Sequence, residues 1–413
     1  MTDVPPTVYH DRDFYVFAAI RFIVTIAMQV QSVAIGWQIY AVTHSTFALG
    51  LVGLCQFAPM FLLTLPAGDL ADRVDQRKLL SATQAAQSIC AALFLMLVIF
   101  APHVEWIYYV VLVLFGATRG FYGPSSQSLL PFLVPPEKLP RAIALSSSVF
   151  TIATIAGPAL GGFIFALGPK FTFSASLVLM LIASGLTSSL GGRQRAPQAD
   201  TGASRLERVR EGVDFVRHRP VVLGAISLDL FAVLLGGATA LLPVYASDIL
   251  HAGPIWFGVL RAGPAIGAAL MAFSLARWPI QRHTGIIMFA AVAVFGVATI
   301  VFGLSTSLIL SMAALVALGA SDMISVFVRS ALIQYATPDS MRGRVSAVSM
   351  LFIGASNELG EFESGITAAW FGTVPAVVIG GIGTLLVVGG WMALFPPLRK
   401  IDRLADAANA PVT

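Results

Sequence analysis

Long apolar blocks alternate with short polar stretches along the whole chain. Blocks at about 15–41, 46–67, 78–101, 105–131, 142–167, 171–190, 221–247, 254–275, 285–305, 308–334, 344–371 and 375–395 are near or above the roughly 20 residues that a helix needs to cross hydrocarbon. The pattern predicts an all-α membrane protein with twelve transmembrane helices. One connection is long: residues 191–220, "GGRQRAPQADTGASRLERVREGVDFVRHRP", are polar. They divide the chain into an N-terminal six-helix bundle (1–190), a linker (191–220) and a C-terminal six-helix bundle (221–413). Within the linker, Ser204 and Glu207 have the spacing of a capping box. Leu206, Val209, Val213 and Val216 follow at helical spacing and Pro220 ends the segment. An amphipathic helix is expected there, either solvated or lying on the inner leaflet.

Composition and charge placement strengthen this reading. The 413 residues are 57% hydrophobic and 11% charged, with a mean hydropathy of +0.84, whereas soluble domains carry about 25% charged residues. Twenty of the 25 Lys and Arg residues fall in alternate connections and at the two ends: Arg12; Arg73, Arg77 and Lys78; Lys138 and Arg141; seven arginines from Arg193 to Arg219; Arg277 and Arg282; Arg342 and Arg344; Arg399, Lys400 and Arg403. The opposite connections hold only Lys170. By the positive-inside rule both termini and the linker are cytoplasmic. The sequence pI of about 9.2 is then an orientation signal and not a nucleic-acid footprint. The acidic, proline-containing opening "MTDVPPTVYHDRDF" is not expected to be a cleaved leader. Cys55 and Cys90 lie in apolar blocks, with neither metal-ligand spacing nor a disulfide framework.

The halves echo each other. Tyr40, Gly53, Gln56 and Pro59 recur as Tyr245, Gly258, Arg261 and Pro264 at an offset of 205. Pro136-Glu137 recurs as Pro338-Asp339 at an offset of 202. Parallel repeats of this kind predict pseudo-symmetric bundles with a substrate site at their interface near mid-membrane, exposed to each side in turn by rocking.

Two motifs carry a resemblance. Gly68 to Lys78 reads "GDLADRVDQRK". Gly68 is expected to permit close backbone approach at a helix end, and Asp69 and Asp72 to accept hydrogen bonds from nearby arginines or helix ends. The stretch resembles the signature loop G-x-L-A-D-R-x-G-R-R-K of the major facilitator superfamily. Gly68, Leu70, Ala71, Asp72, Arg73, Arg77 and Lys78 match, while Asp75 and Gln76 replace a Gly and an Arg. The resemblance implies that Gly68, Asp72, Arg73 and Arg77 belong to a latch between the halves on the cytoplasmic side. Further on, "GPALGG" spans Gly157 to Gly162. Pro158 favours a kink, and Gly157, Gly161 and Gly162 admit a partner helix. This stretch resembles the superfamily's fifth-helix motif G-x-x-x-G-P-x-x-G-G, associated with exporters and antiporters, with Ala153 at its first glycine. Arg119, inside the fourth span and four residues before Gly123, is similar to a superfamily arginine linked to proton coupling. The segments 227–250, 260–264, 321–349 and 354–365 resemble the bacterial enterobactin-exporter branch, which implies export of a catecholate siderophore by proton antiport.

Charged residues inside the spans are the candidate chemistry, because a charge at that depth costs several kcal/mol unless paired or wetted. "IGASNELGEFESG" (353–365) holds three carboxylates. Glu358 and Glu361 are three apart and share a helix face. Glu363 is rotated about 140° from Glu358 and points elsewhere. Two carboxylates close together in low dielectric cannot both ionise cheaply, so one is expected to hold a proton. All six histidines fall outside the spans or at their edges, which leaves Glu358, Glu361, Asp322 and Asp229, with Arg119, as the proton-coupling set. Gln31, Gln38, Trp37, Arg261 and Glu363 are expected to line the substrate cavity, with Gln29 and Tyr40 as further lining residues. Trp37 and Tyr40 also sit where an interfacial aromatic belt is expected. Structural ion pairs use the same residue types, and the sequence leaves both roles open. Arg21 and Arg329, near span ends, are expected to snorkel.

These readings converge on a secondary transporter of the bacterial inner membrane. A proton-driven exporter of a small organic compound is expected, with a siderophore implied by the resemblance and multidrug or antibiotic efflux as the alternative. The chain has no G-x-x-x-x-G-K-[ST] phosphate loop, and no cofactor or metal is expected. The expected partners are the small-molecule substrate, protons and the lipid bilayer; nucleic acid is not among them, and the protein is expected to be a monomer. An importer of the same architecture is disfavoured by "GPALGG". A membrane enzyme is disfavoured by the scatter of the histidines and the lack of a clustered nucleophile.

Overall fold

A computed structural model describes residues 11–190 and 205–409. Thirteen long helices run through them: α1 (Asp11–Thr43), α2 (Thr46–Arg73), α3 (Gln76–Phe100), α4 (Glu105–Leu129), α5 (Leu139–Ala166), α6 (Pro169–Ser189), α7 (Arg205–Arg217), α8 (Pro220–Leu235), α9 (Gly253–Arg277), α10 (Thr284–Leu304), α11 (Leu308–Ala336), α12 (Asp339–Phe371) and α13 (Thr373–Leu394). Ten segments among the described residues are long and apolar enough to cross a membrane. The helices α4 and α12 are also long, with 25 and 33 residues. They fall outside the apolar set because they carry Arg119 and the three glutamates. The two spans that lipid would tolerate least therefore bear the candidate site.

The halves are built alike. In the first, α1 packs on α5 and α6, α2 on α4, and α3 on α4 and α6. In the second, α8 packs on α12 and α13, α9 on α11, and α10 on α11 and α13. Each pairing has its counterpart, as a parallel repeat requires. The turns repeat as well. The connection after the first span of each half uses a histidine in the left-handed region, His44 and His251, both with φ 48, a conformation uncommon outside glycine. The connection before the last span of each half uses a positive-φ glycine, Gly168 (φ 120) and Gly372 (φ 91).

The bundles meet along α2–α12 and α5–α9. Without a hydrophobic drive between helices in lipid, close approach depends on small residues. A Cβ on Gly50 would stand 3.1 Å from the Gly365 Cα, and one on Gly162 would stand 2.9 Å from the Gly258 Cα. Both crossings lie toward the membrane face opposite the basic loops, here the far end.

The seventh span differs from the continuous helix expected over 221–247. Its helix α8 stops at Leu235, and the chain continues through tighter and wider turns from Ala238 to Ile249. Gly236-Gly237 lowers helix propensity and Pro243 lacks an amide donor. Gly237 faces the Gly360 carbonyl of α12, so the break lets the two backbones touch near the candidate site.

The linker helix α7 docks on the second bundle. Val213 and Val216 join the apolar core of the second bundle, and Glu211 pairs with Arg344 of α12 at 2.8 Å. The Ser204–Glu207 capping box includes Ser204, which lies outside the described residues. After α13 the chain folds back on α10. The Asp402 carboxylate accepts from the His283 amide at 2.9 Å, and the Thr284 and Gly285 amides donate to the Asp402 and Ile401 carbonyls at 3.0 Å each. These contacts satisfy amides that a helix N-terminus leaves open. The His283 amide, followed by Arg282 at 3.2 Å, holds the Asp402 carboxyl below its ordinary value.

Candidate functional site

Where α1, α2, α4, α9 and α12 converge, a cavity of about 110 Å³ is lined by Met28, Gln29, Ser32, Gln56, Phe115, Arg119, Arg261, Glu358 and Glu361. Three of these helices belong to the first bundle and two to the second, so the chamber lies on the seam between them. It holds two guanidinium groups and two carboxylates. Arg119 is the bridge: one guanidinium nitrogen donates to Gln56 Oε1 at 3.0 Å, and the other meets Glu358 Oε1 at 3.3 Å. That ion pair crosses the seam with side chains 28% and 15% exposed, so it is wetted without being at the surface. Arg261 also crosses the seam, donating to the Ser32 hydroxyl of α1 at 3.2 Å. Glu361 has neither a hydrogen bond nor an ion pair among the described residues. It shares the chamber with one paired base, Arg119, and one base held only by a neutral hydroxyl, Arg261. One water needs about 10–15 Å³ of such space, so the chamber is roomy enough for ordered water. Ligand pockets run to about 300–1,000 Å³, so the chamber is smaller than a drug-sized molecule needs.

The sequence set divides against this geometry. Arg119, Arg261, Glu358 and Glu361 come together, and Gln29 lines the chamber with them. Gln31 does not, since it is buried and accepts a hydrogen bond from the Ser176 hydroxyl of α6 at 2.9 Å. Gln38 shares its face and meets the Tyr108 hydroxyl of α4. Gln29 and Gln31 are about 200° apart around a helix, so only one can face the seam. Trp37 packs on Phe257 with ring centroids 5.6 Å apart; it sits in the inter-bundle contact beside the chamber. Tyr40 donates across the seam to Asp248 at the far end. Glu363, expected to line the cavity, does not: it accepts from Thr367 one turn along its own helix at 2.7 Å, on a face turned about 140° from Glu358.

Two acids of the proton-coupling set lie elsewhere. Asp229 of α8 is 5% exposed and pairs with Arg329 of α11, which is 2% exposed. Arg329 does not snorkel. It is too far inside the second bundle's core, and its charge is met there by Asp229. Asp322, on α11, is half-buried outside the chamber and has no hydrogen bond or ion pair among the described residues.

The motif residues resolve into packing roles. Gly157 and Gly161 face α1, against Gln29 and Val30, while Gly162 and the Pro158 carbonyl face Gly258 of α9. "GPALGG" thus touches a helix of its own bundle with one face and the opposite bundle with the other. Gly68 lies inside α2 and not at its end, since the helix runs on to Arg73. Asp75 occupies the N-cap of α3, accepting from the Arg77 and Lys78 amides, which is what an aspartate at that position supplies in place of a glycine. The Arg77 side chain donates to the Leu190 carbonyl at the end of α6, within its own bundle. The side chains of Asp69, Asp72 and Arg73 lie outside the description.

Met28, Ser32, Gln56 and Phe115 were not predicted as lining residues. For Gln56 a signal existed: it is the repeat partner of Arg261, and both reach the chamber from equivalent helices. Gly53 and Gly258 obey the same rule. Gly53 lies against Glu361 and the Glu358 carbonyl of α12, and Gly258 against Pro158 and Gly162 of α5.

Three comparisons bear on this arrangement. A family model described as transmembrane secretion effector matches residues 10–412. An enterobactin exporter of Citrobacter koseri is 25% identical over 388 residues, covering 92% of this chain and 91% of the relative. A staphyloferrin A transporter of Staphylococcus aureus is 23% identical over 403 residues, 95% of this chain and 98% of the relative. Among solved structures, a peptide transporter of the POT family aligns with a TM-score of 0.76 at 12% identity, covering 97% of each chain. A bacterial homologue of the human lysosomal transporter Spinster, inward-facing and occupied, aligns with a TM-score of 0.74 at 14% identity, covering 94% of this chain and 97% of that one. These structural likenesses establish the twelve-span major facilitator fold.

Proposed function

The chain belongs to the transmembrane secretion effector family of the major facilitator superfamily, which makes it a multi-pass membrane transporter and not an enzyme, and on that premise we propose that it exports a siderophore in exchange for protons. One observation carries the proposal: a seam-crossing ion pair, Arg119–Glu358, sits in a wetted chamber beside an unpaired carboxylate and a second arginine. Such a set can exchange a proton for a bound solute as the bundles rock, because both carboxylates lie against the opposite bundle and Glu358 must give up Arg119 when the seam opens. The similarity to an enterobactin exporter and a staphyloferrin A transporter supports an iron-chelating substrate. Chelators of this kind carry phenolate or carboxylate groups that the two arginines would meet. The positive-inside pattern supports cytoplasmic termini in a bacterial inner membrane, with 1–190 and 221–413 as the rocking units and 191–220 as the tether.

The test is to delete the protein in its host and compare metabolites inside and outside the cell, with and without iron. Retention of an iron chelator inside the iron-starved deletion strain is the expected result. Unchanged chelator export, with increased sensitivity to unrelated toxic compounds, would replace siderophore export with drug efflux.

A further inference from the structure

Four arginines lie inside the spans, and three of them face acids. Arg119 pairs with Glu358, Arg329 pairs with Asp229, and Arg261 shares the chamber with Glu358 and Glu361. Arg21 of α1 faces no carboxylate among the described residues. Expected to snorkel, it instead donates to the Ser146 hydroxyl of α5 at 2.9 Å. Its guanidinium lies over the Phe150 ring, 5.3 Å from the centroid, at cation–π range. Tyr122 of α4 stands near enough to interact with the charge. A guanidinium offers five N–H donors, and a protein acceptor takes only one of them. The side chain is half-buried, so water reaches the others.

Helix periodicity ties this arginine to the chamber. On α1, Arg21 stands seven residues before Met28 and Phe22 seven before Gln29, and both Met28 and Gln29 line the chamber. Seven residues are two turns, which bring a side chain back to nearly the same face about 10.5 Å along the axis. On α5, Phe150 stands seven residues before Gly157, which packs against Gln29. The faces that build the chamber therefore run on toward the basic side. There they carry one arginine and two exposed aromatic rings, Phe22 and Phe150. A plain pin between α1 and α5 does not need this charge, since a neutral side chain can donate to Ser146 without the cost of a cation at span depth. The repeat does not need it either. At the offset of 205 the second half has Ile226, buried in the apolar core of its bundle.

Resting on the export reading above, we propose that Arg21, Phe150 and Phe22 form a loading site for a planar aromatic anion on the basic side of the chamber. The open N–H groups of Arg21 donate to the anionic oxygens, a charge-assisted contact, and the ring of the solute packs against the aromatic side chains. Ser146 holds the guanidinium in place while the solute binds. A catecholate or a hydroxybenzoate group satisfies both halves of this site. An aliphatic polycarboxylate supplies charge without a ring and satisfies one. The solute then passes from cation to cation, from Arg21 to Arg119 and Arg261, as it moves along α1 into the chamber.

The test measures binding of radiolabelled salicylate to the full chain in lipid nanodiscs by equilibrium dialysis, with citrate as the anion that lacks a ring. The parent chain should bind salicylate, and citrate at least tenfold more weakly. Arg21→Gln, which keeps a donor for Ser146, should weaken salicylate binding at least tenfold. Phe150→Leu, which keeps apolar bulk, should weaken salicylate several-fold and leave citrate unchanged. Arg261→Gln should leave salicylate within twofold of the parent. No salicylate binding by the parent, citrate binding as tight as salicylate, or a loss in Arg261→Gln with none in Arg21→Gln overturns the inference. Should Arg21→Gln fail to fold, undiminished salicylate binding by Phe150→Leu overturns it as well. Enterobactin transport into acid-loaded proteoliposomes separates the two levels, with Arg21→Gln expected to raise KM and hold kcat. If the parent chain moves enterobactin and Arg21→Gln moves it with the same KM, only the loading site fails. If the parent chain moves none yet binds salicylate through Arg21, the export reading fails and the site stands.

Discussion

Replacing Asp229 with asparagine removes one member of the most buried ion pair in the described chain. Arg329 would keep its charge at 2% exposure, with its Nε already lacking a hydrogen-bond partner. No other acid is paired with it. Removing one partner of a buried pair costs about 3–5 kcal/mol, because the remaining charge is left uncompensated. At about 1.4 kcal/mol per tenfold, this is a hundred- to several-thousand-fold loss in the folding equilibrium. Replacing both residues with apolar ones of similar volume, Asp229→Leu with Arg329→Met, should recover most of the loss, since well-packed apolar substitutes for buried pairs are often neutral or better. The assay is unfolding of the purified protein by titrating dodecyl sulfate into mild micelles, followed by tryptophan fluorescence. A double-mutant cycle over the two positions isolates the coupling. If Asp229→Asn proves as stable as the parent and instead abolishes proton-coupled transport, the structural assignment is wrong and Asp229 belongs on the proton path.

Other perturbations have expected outcomes. Glu358→Gln frees Arg119 to capture Glu361 as an ionised partner, so gradient-driven efflux from cells should collapse while expression persists; normal efflux would remove Glu358 from the coupling machinery. A Cβ on Gly258 would stand 2.8 Å from the Gly162 Cα, so Gly258→Leu should hold the α5–α9 crossing open, overpacking that costs about 1–3 kcal/mol if closure is forced; cysteine cross-linking between the far ends of these helices should drop. Asp402 is held below its ordinary value by the His283 amide and Arg282. Its contribution is therefore present above the unfolded carboxylate value and lost as pH falls through the folded one. The exchange protection factor of the His283 amide, with the intrinsic pH dependence of exchange divided out, should fall on acidification, and Asp402→Asn should flatten that dependence.

Much of this architecture was legible because lipid imposes simple rules. Each span must be apolar or hidden, and basic residues must collect on one side, so span number and the pairing of the halves could be read from the residues. Buried carboxylates were found for the same reason, since their expense makes them conspicuous. Helix phase was harder. The choice between Gln29 and Gln31 depends on which face of α1 meets the seam, and both faces are crowded with apolar residues. The interruption after Leu235 was marked by Gly236-Gly237 and Pro243, yet spans often tolerate such residues unbroken, so only the contact with Gly360 decides it. Arg329 was misjudged from depth along its helix alone. Its partner is some 100 residues away in sequence, and no local pattern announces it. The docking of α7 likewise depends on Arg344 and Val348 of a distant helix.

The claim at the centre of this account is that the Arg119–Glu358–Glu361 chamber exchanges protons for an exported chelator. Purified protein in proteoliposomes loaded with pyranine in an acidic lumen tests it most directly, with enterobactin and staphyloferrin A supplied outside as probes. The account predicts that a probe accumulates inside while the lumen becomes more alkaline, and that both movements stop when the pH difference is abolished. Probe movement that is indifferent to the pH difference, or no movement of either probe alongside transport of unrelated drugs, would contradict it.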